Sequence, residues 1–371
     1  MKFTIERAAL LKALAHVQSV VERRNTIPIL ANVRLEGADG ALRLTATDMD
    51  LAIVERVAAE VAQRHATTVP AHTMYDIVRK LPEGAQVRFE AGADDRVNLI
   101  AGRSRFSLPT LPVDDFPVMA EGELPHQFIL QAAELKRLID KTRFAVSTEE
   151  TRYYLNGIYL HAAHGKGGER LRAVATDGHR LARVEAELPK GAAKMPGVIV
   201  PRKAVQELRK LVDEVEGEVK IELSDAKIRF GFDDIVLTSK LIDGTFPDYE
   251  RVIPEANDKL LEIGAREFEQ AVDRVSTIST EKSRAVKLVI EPKKVTLQAS
   301  SPDDGSASEE IDAVYKGSPL EIGFNSRYVL DMMAQVKGET LSLWFSDGTS
   351  PALVRDSGDS GALYVIMPMR V

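Results

Sequence analysis

The string Thr176-Asp177-Gly178-His179-Arg180 is the most tempting chemistry in the chain. An aspartate and a histidine two residues apart, with an arginine beside them, could form a general acid–base pair or supply two metal ligands. No second His/Asp/Glu group at ligand spacing supports that reading. The chain also contains no cysteine, which removes disulfides and thiolate metal sites. A near copy of the string, Thr47-Asp48-Met49-Asp50, carries no histidine. The string therefore reads as a structural turn that also offers a pocket wall. An enzyme using Asp177 and His179 is the rival, and it predicts that a chelator or His179→Ala alters some hydrolytic signal; none is expected.

The near copy leads to the elements that must position these residues. Leu42-Arg43-Leu44-Thr45-Ala46-Thr47-Asp48 matches Leu171-Arg172-Ala173-Val174-Ala175-Thr176-Asp177, and a worn third version, Val295 to Ser301, runs into Pro302 and Asp303. A period near 125 residues is a copied domain, not a solenoid unit. Each copy opens with a short strand, at 3–5, 128–130 and 261–263. A helix follows, expected over 6–21, 131–147 and 264–280. A second helix is signalled by Val69-Pro70-Ala71, Val200-Pro201-Arg202 and Phe324-Asn325-Ser326, with helical spacing after it in Met74, Ile77, Val78 and Leu81, in Val205, Leu208 and Leu211, and in Val329, Leu330, Met333 and Val336. Strands are expected at 86–91, 96–101 and 103–110, at 218–223, 227–232 and 234–241, and at 339–345, 350–355 and 361–367, with a turn at Gly92-Ala93-Asp94-Asp95. Each copy then reads β-α-β-β-β followed by α-β-β-β, an α+β class with two helices packed on antiparallel sheets. The expected domains are 1–124, 125–253 and 254–371.

Composition bounds the rest. At 44% hydrophobic residues the chain is globular. The opening Met1-Lys2-Phe3-Thr4-Ile5-Glu6-Arg7 is charged where a secretory leader needs an apolar run, and no stretch approaches the roughly 20 apolar residues of a membrane span. A cytoplasmic protein is expected. Net charge is −7, which taken whole argues against a binder held by phosphate contacts. The six expected helices with their flanks, however, hold 20 Lys and Arg against 11 acids, a balance of +9 that leaves −16 on the remainder. Solvated helix faces are one explanation. The other is edge-to-edge assembly with the helices inside: a ring would pair the open sheet edges, and a closing head-to-tail contact gives a finite ring. Three domains make a half ring and two chains a whole one.

Long signatures then accumulate in order: Met1-Lys2-Phe3-Thr4, Ile27-Pro28-Ile29-Leu30, Gly102-Arg103-Ser104-Arg105-Phe106-Ser107-Leu108, Arg152-Tyr153-Tyr154-Leu155-Asn156-Gly157, Ala175 to Ala182, Val200-Pro201-Arg202-Lys203, Phe246-Pro247-Asp248-Tyr249 and Met367-Pro368-Met369-Arg370. Along its full length the chain resembles the bacterial sliding clamps, the beta subunit of DNA polymerase III. The resemblance implies three clamp domains in a head-to-tail homodimeric ring around double-stranded DNA. Such a ring is a processivity factor without catalysis or cofactor. Its implied partners are the DNA polymerase III alpha subunit, the clamp loader, and other polymerases and repair proteins that dock through short peptide motifs.

Site residues follow from the same resemblance. It implies a partner-peptide pocket built from Leu155, Thr176, Gly178, His179, Arg180, Leu181, Pro247, Arg251, Val252, Asn325, Tyr328, Val365, Met367, Pro368 and Met369; methionine suits a surface that accepts varied peptides. The alternative is that Val365-Ile366-Met367 is only a buried last strand. For DNA it points to Arg24, Arg152, Tyr153 and Tyr154, with Arg202, Lys203 and Arg284 as helpers, and core packing is the alternative for the tyrosines. Three positions depart from the pattern: His72 and Glu149 within the DNA set, and Ser283 where an aromatic is expected. The expected dimer contact joins Arg103, Arg105, Phe106 and Leu108 to Arg274, Ile278 and the strand 295–301. A repeated protein-binding scaffold that never touches DNA is the remaining rival, separable by comparing retention on circular and linear DNA.

Overall fold

A computed structural model describes residues 2–91, 95–120, 122–165, 168–279 and 284–370. The Gly92-Ala93-Asp94 part of the expected turn, and Ser283, lie outside the described residues. Six α-helices occur among them: α1 (Arg7–Val17), α2 (Ala71–Lys80), α3 (Ala132–Arg143), α4 (Arg202–Val212), α5 (Ala265–Ser276) and α6 (Ser326–Met333). The first helix of each copy is shorter than its apolar spacing suggests. Val20, Val21, Ala145 and Val146 are buried beyond the helix ends, in turns. Burial alone extends the apparent period there.

A second difference is a strand before the second helix of every copy, at His65–Pro70, Val198–Pro201 and Leu320–Asn325. Each copy is thus strand, helix and three strands, twice over, with one additional strand, Glu60–Gln63, in the first. Pro70 and Pro201 close these strands and stand where the helices begin, Pro70 as the residue that caps α2 and Pro201 directly before α4. Proline has no N–H for a ladder, and both strands lie at sheet ends. Asn325 does act as the expected cap, its Oδ1 accepting the N–H groups of Arg327 at 3.0 Å and Tyr328 at 3.4 Å.

Two compact units form, residues 1–133 with 206–241 and residues 134–205 with 242–371. The division passes through the second copy because backbone pairing, not sequence order, gathers the strands. In the first unit an eight-stranded sheet runs through Ile235–Lys240 of copy two and Leu51–Ala58 of copy one, antiparallel, with Val236 opposite Val54 and Thr238 opposite Ala52. A five-stranded sheet ends on Ser104–Pro109. In the second unit a twelve-stranded sheet joins Arg180–Glu187 of copy two to Asp359–Ile366 of copy three, with Leu181 opposite Val365. Each unit therefore contains one seam between copies. Helices α1 and α2 pack together in the first unit, α5 and α6 in the second, and α1 and α5 lie on the strands of their own copies.

Both seams are tied by charge on the first helix of a copy. In the first unit, buried His16 sits with Nδ1 2.7 Å from Glu55 and Nε2 3.3 Å from Glu214, while Lys12, one turn earlier, is 3.1 Å from Glu214. Burial works against the charged imidazole, but the Glu55 and Glu214 carboxylates override it and raise the pKa above 6.5. A raised folded-state pKa means the protonated contact contributes fully below pH 6.5 and is lost as pH rises through the folded value. Thermal melts between pH 6 and 8.5 should therefore show stability falling with pH, and a His16→Gln chain should show a flatter profile. Equal slopes would remove His16 from the account. In the second unit the same spacing recurs in Arg137, 2.7 Å from Asp359, and Lys141, 3.1 Å from Asp356.

Candidate functional site

The strands Gly168–Thr176 and Arg180–Glu187 are antiparallel neighbours, and Asp177, Gly178 and His179 are the turn between them. Thr176 Oγ1 donates to the Arg180 carbonyl at 2.7 Å and accepts the Gly178 N–H at 3.1 Å. Asp177 Oδ1 accepts the N–H groups of His179 and Arg180 at 2.9 and 3.0 Å, and its Oδ2 accepts Arg180 Nε at 3.1 Å. Both carboxylate oxygens are thus engaged in holding the turn. Copy one builds the same turn: Thr47 donates to Leu51 at 2.9 Å, and Asp48 Oδ1 accepts the N–H groups of Asp50 and Leu51 at 3.0 and 2.7 Å. A bond pattern that repeats where histidine is absent belongs to the fold. Among the described residues no group of three or more His, Cys, Asp or Glu side chains is placed to hold a metal.

Gly178 has φ +88°, and a Cβ there would lie 2.5 Å from an Arg152 guanidinium nitrogen. Glycine takes this left-handed backbone without strain and leaves room for Arg152; in copy one Met49 holds the same backbone at φ +78°. Beyond the turn, Arg180 donates to Asp331 at 2.7 Å and lies over the rings of Tyr328 at 4.5 Å and Phe144 at 5.3 Å. The His179 ring stacks on Tyr328, centroids 6.0 Å apart. The Met367 N–H donates to the His179 carbonyl at 2.9 Å, and Met369 pairs with Gly323. The chain end is thereby stitched to the turn.

These residues border one apolar cluster in which Leu155, Val174, Leu181, Ile199, Phe246, Tyr249, Leu363 and Val365 are buried and Tyr154, Ile242 and Ile253 pack against them. Val365 and Ile366 are buried while Met367 is 42% exposed, so the last strand is core up to Ile366 and surface beyond it. Pro247 and Val252 are exposed on the connector after Phe246. That connector is held by Arg172, whose Nη1 donates to the Tyr249 hydroxyl at 3.0 Å and to Glu250, and whose Nε donates to Glu185 at 2.7 Å. Burial disfavours the Arg172 charge, but these partners outweigh it and raise its pKa. Arg251 lies off the cluster, exposed and paired with Asp248 at 2.7 Å, and Asn325 spends its Oδ1 on the helix cap. Phe246, Tyr249, Ile199 and Leu363 were not among the expected pocket residues. The repeated Phe-Pro at 116–117 and 246–247 was the available signal for Phe246.

The residues expected at DNA divide between the units. In the first, Arg24 is exposed, while His72 donates Nε2 to the Val21 carbonyl at 2.8 Å and so ties the start of α2 to the segment after α1. In the second, Arg152 and Glu149 form a two-bond pair at 2.9 and 2.6 Å, which holds the Glu149 carboxyl below its usual range. The tyrosines separate: Tyr154 packs on the apolar cluster and Tyr153 is 52% exposed, their rings edge-to-face at 5.8 Å. Arg202 is exposed; Lys203 and Arg284 are half-buried. Of the expected dimer residues, Arg103 and Arg105 are exposed, Phe106 and Ile278 half-buried, and Arg274 is paired with Glu309 at 3.0 Å. Leu108 is only 5% exposed within the chain, so it is core and not a free interface residue.

Family models for the N-terminal, central and C-terminal domains of the DNA polymerase III beta subunit match residues 1–120, 129–248 and 250–370. The chain belongs to that family. It is 54% identical over 372 residues to the beta sliding clamp of Caulobacter vibrioides, covering all of both chains. The crystal structure of the C. crescentus beta sliding clamp, with polyethylene glycol bound to a putative beta-motif tethering region, superposes with a TM-score of 0.98 at 54% identity, over 100% of this chain and 99% of that one. A Bartonella birtlesii sliding clamp bound to griselimycin superposes with a TM-score of 0.97 at 50% identity over the whole of both chains. Three repeated clamp domains, and the role of a sliding clamp in DNA replication, are thereby shown. A clamp is an accessory processivity subunit and not an enzyme.

Proposed function

We propose that two copies of this chain close head to tail into a ring around double-stranded DNA and tether the replicative polymerase to it. The observation that carries this is the pairing of the sheet edges. Two seams between copies are made within the chain, and the strands of a third are present with open edges. Ser104–Pro109 ends its sheet, and Gly305–Asp312 pairs along one side only among the described residues. Ser104–Pro109 stands in copy one where Ile235–Lys240 and Asp359–Ile366 stand in copies two and three. Gly305–Lys316 stands where Leu51–Ala58 and Arg180–Glu187 do. Pairing them between chains makes a heterologous contact of the kind that closes, with domains at 1–124, 125–253 and 254–371.

Phe106, Arg103 and Arg105 would then meet Ile278 and Arg274 of the second copy. Full burial of a phenylalanine is worth about 1.5–3 kcal/mol, and the contact occurs twice. Phe106→Ala should shift the chain toward monomer in sedimentation; a variant still dimeric at nanomolar concentration argues against this interface. Leu108 is unsuitable for that test because its loss would damage the domain.

Arg24, Arg202, Lys203 and Arg284, with Arg152 and Tyr153, are proposed to touch DNA. The Glu149 partner of Arg152 weakens its contribution. A ring needs only weak contacts, since leaving requires opening, which reconciles a net charge of −7 with a basic helix set. Partners, among them the polymerase III alpha subunit and the clamp loader, are proposed to insert apolar peptide side chains over Leu155, Thr176, Leu181, Pro247, Val252 and Met367. The protein is proposed to work in the cytoplasm, with the chromosome. The deciding experiment loads the protein on nicked circular DNA and then linearises it. Retention on the circle and loss from the linear form is expected. Equal retention on both, with the same salt dependence, would sink the ring in favour of ordinary affinity.

A further inference from the structure

The first unit contains a cavity of about 530 Å³ on the face of its eight-stranded sheet, at the seam between copies one and two. Its walls come from both copies, with Arg34, Thr45 and Ala52 on one side and Arg229, Val236 and Thr238 on the other, and the connector Phe116 to Ala120 borders it. Feature by feature it is the counterpart of the apolar cluster at the other seam. Ala52 opposite Thr238 takes the place of Leu181 opposite Val365, and Arg34 opposite Thr45 that of Tyr159 opposite Val174. Phe116-Pro117 repeats Phe246-Pro247, and Thr47, which also lines the cavity, holds the same turn as Thr176. The space filled by large apolar side chains at the second seam is open here and lined with small and charged ones.

We propose that this cavity is a second peptide-docking site, selective for an extended segment that carries a carboxylate beside an apolar residue. Charge decides the carboxylate. Arg34, Arg43 and Arg229 face Glu36 and Glu222, and the two acids are already engaged, Glu36 by Arg34 at 2.8 Å and Glu222 by Lys220 at 2.8 Å. Arg229 reaches Glu222 only at 4.0 Å, and the buried Nε atoms of Arg34 and Arg229 have no hydrogen-bond partner. These Nε atoms are closed off, so a carboxylate entering the cavity would meet the exposed Arg43 and the Nη ends of the guanidinium groups. Exposed apolar groups decide the rest. Val118 on the connector is 71% exposed, and Met49, whose N–H donates to Thr47 Oγ1 at 3.0 Å, is 46% exposed. Val118 lines the cavity, and Met49 lies in the turn held by Thr47, which lines it too. The proposal borrows from the peptide reading of the second seam only the likeness of the two sites.

The test is fluorescence anisotropy on the full chain with a labelled hexapeptide of alternating Leu and Asp, and the same peptide with Asn for Asp. The Asp peptide should bind and the Asn peptide at least tenfold more weakly. Arg43→Glu and Arg229→Gln, each checked for an unchanged melting temperature, should each weaken the Asp peptide about tenfold. Met367→Ala should leave it unchanged while weakening a polymerase-tail peptide, so failure here and failure of the second-seam reading give different results. No binding at millimolar peptide overturns the proposal, as do equal binding of the Asn peptide, loss through Met367→Ala, and indifference to both arginine changes. Displacement by equimolar inorganic phosphate would make this a small-anion site and overturn the peptide.

Discussion

Asp356→Ala is expected to remove about 3–5 kcal/mol of stability, the range for breaking a buried ion pair from one side. Asp356 is fully buried and Lys141 2% exposed, 3.1 Å apart across the seam between copies two and three. The carboxylate also accepts the N–H groups of Lys337 at 3.0 Å and of Gly338 and Gly358 at 2.8 Å. Alanine would leave these three donors unpaired and hold the Lys141 ammonium with only Asp359 at 3.3 Å and the Gln335 carbonyl at 3.1 Å. Burial alone would raise the Asp356 pKa, but the Lys337 and Gly358 N–H groups, Lys141 and Gly338 together lower it. Asp359 is lowered likewise, burial being outweighed by Arg137 and Lys141. Depressed folded-state values mean this stabilisation is present above pH 3.8 and is lost as pH falls through the folded pKa values. Urea melts of the Asp356→Ala chain at pH 7 should show the loss, and below pH 3 the difference from the unsubstituted chain should shrink. A change under 1 kcal/mol at pH 7 would mean that the pair is not sensed by folding. Lys141→Met should cost less, because it removes the buried charge and leaves Asp356 three backbone donors.

Deleting the residues from Met367 onward should weaken a polymerase-tail peptide about 100-fold or more. The last strand remains core through Ile366, so its own ladder survives the cut. What goes is the exposed methionine beside the apolar cluster, the Met367 bond to His179 and the Met369 bond to Gly323. Well-buried anchors each contribute about 2 kcal/mol or more to a peptide interface, and two of them convert to a factor near 10³. The seam Arg180–Glu187 with Asp359–Ile366 is untouched, so thermal melting should change little and sedimentation should give the same mass as the full chain. Unchanged affinity of the truncated chain would mean that the peptide site lies elsewhere. Loss of affinity with an intact mass assigns it to the chain end.

Much of this was legible in the residues. The 125-residue echo, the order of strands and helices and the Thr-Asp turn follow from local patterns, because side-chain alternation and helical spacing report which face of an element is buried. The turn is a good example: Thr176 and Asp177 bond to groups within four residues of themselves, so copy one reproduces it from sequence alone. Where first helices stop was misread at Val20 and Val146, since burial in a turn imitates the helical period. The strands ending in Pro70 and Pro201 were missed because four to six residues before a proline carry little pattern. Only tertiary structure decided which strand edges meet. Backbone N–H and C=O groups are the same in every strand, so nothing in Leu51–Ala58 names Ile235–Lys240 as its neighbour 180 or more residues away. The same holds for the fate of single side chains. Tyr153 and Tyr154 are chemically alike, yet one faces solvent and the other the core; Leu108 is buried before any partner arrives; and Arg152 is answered by Glu149. Burial and pairing of this kind depend on what the rest of the chain brings alongside, and that is a property of the fold.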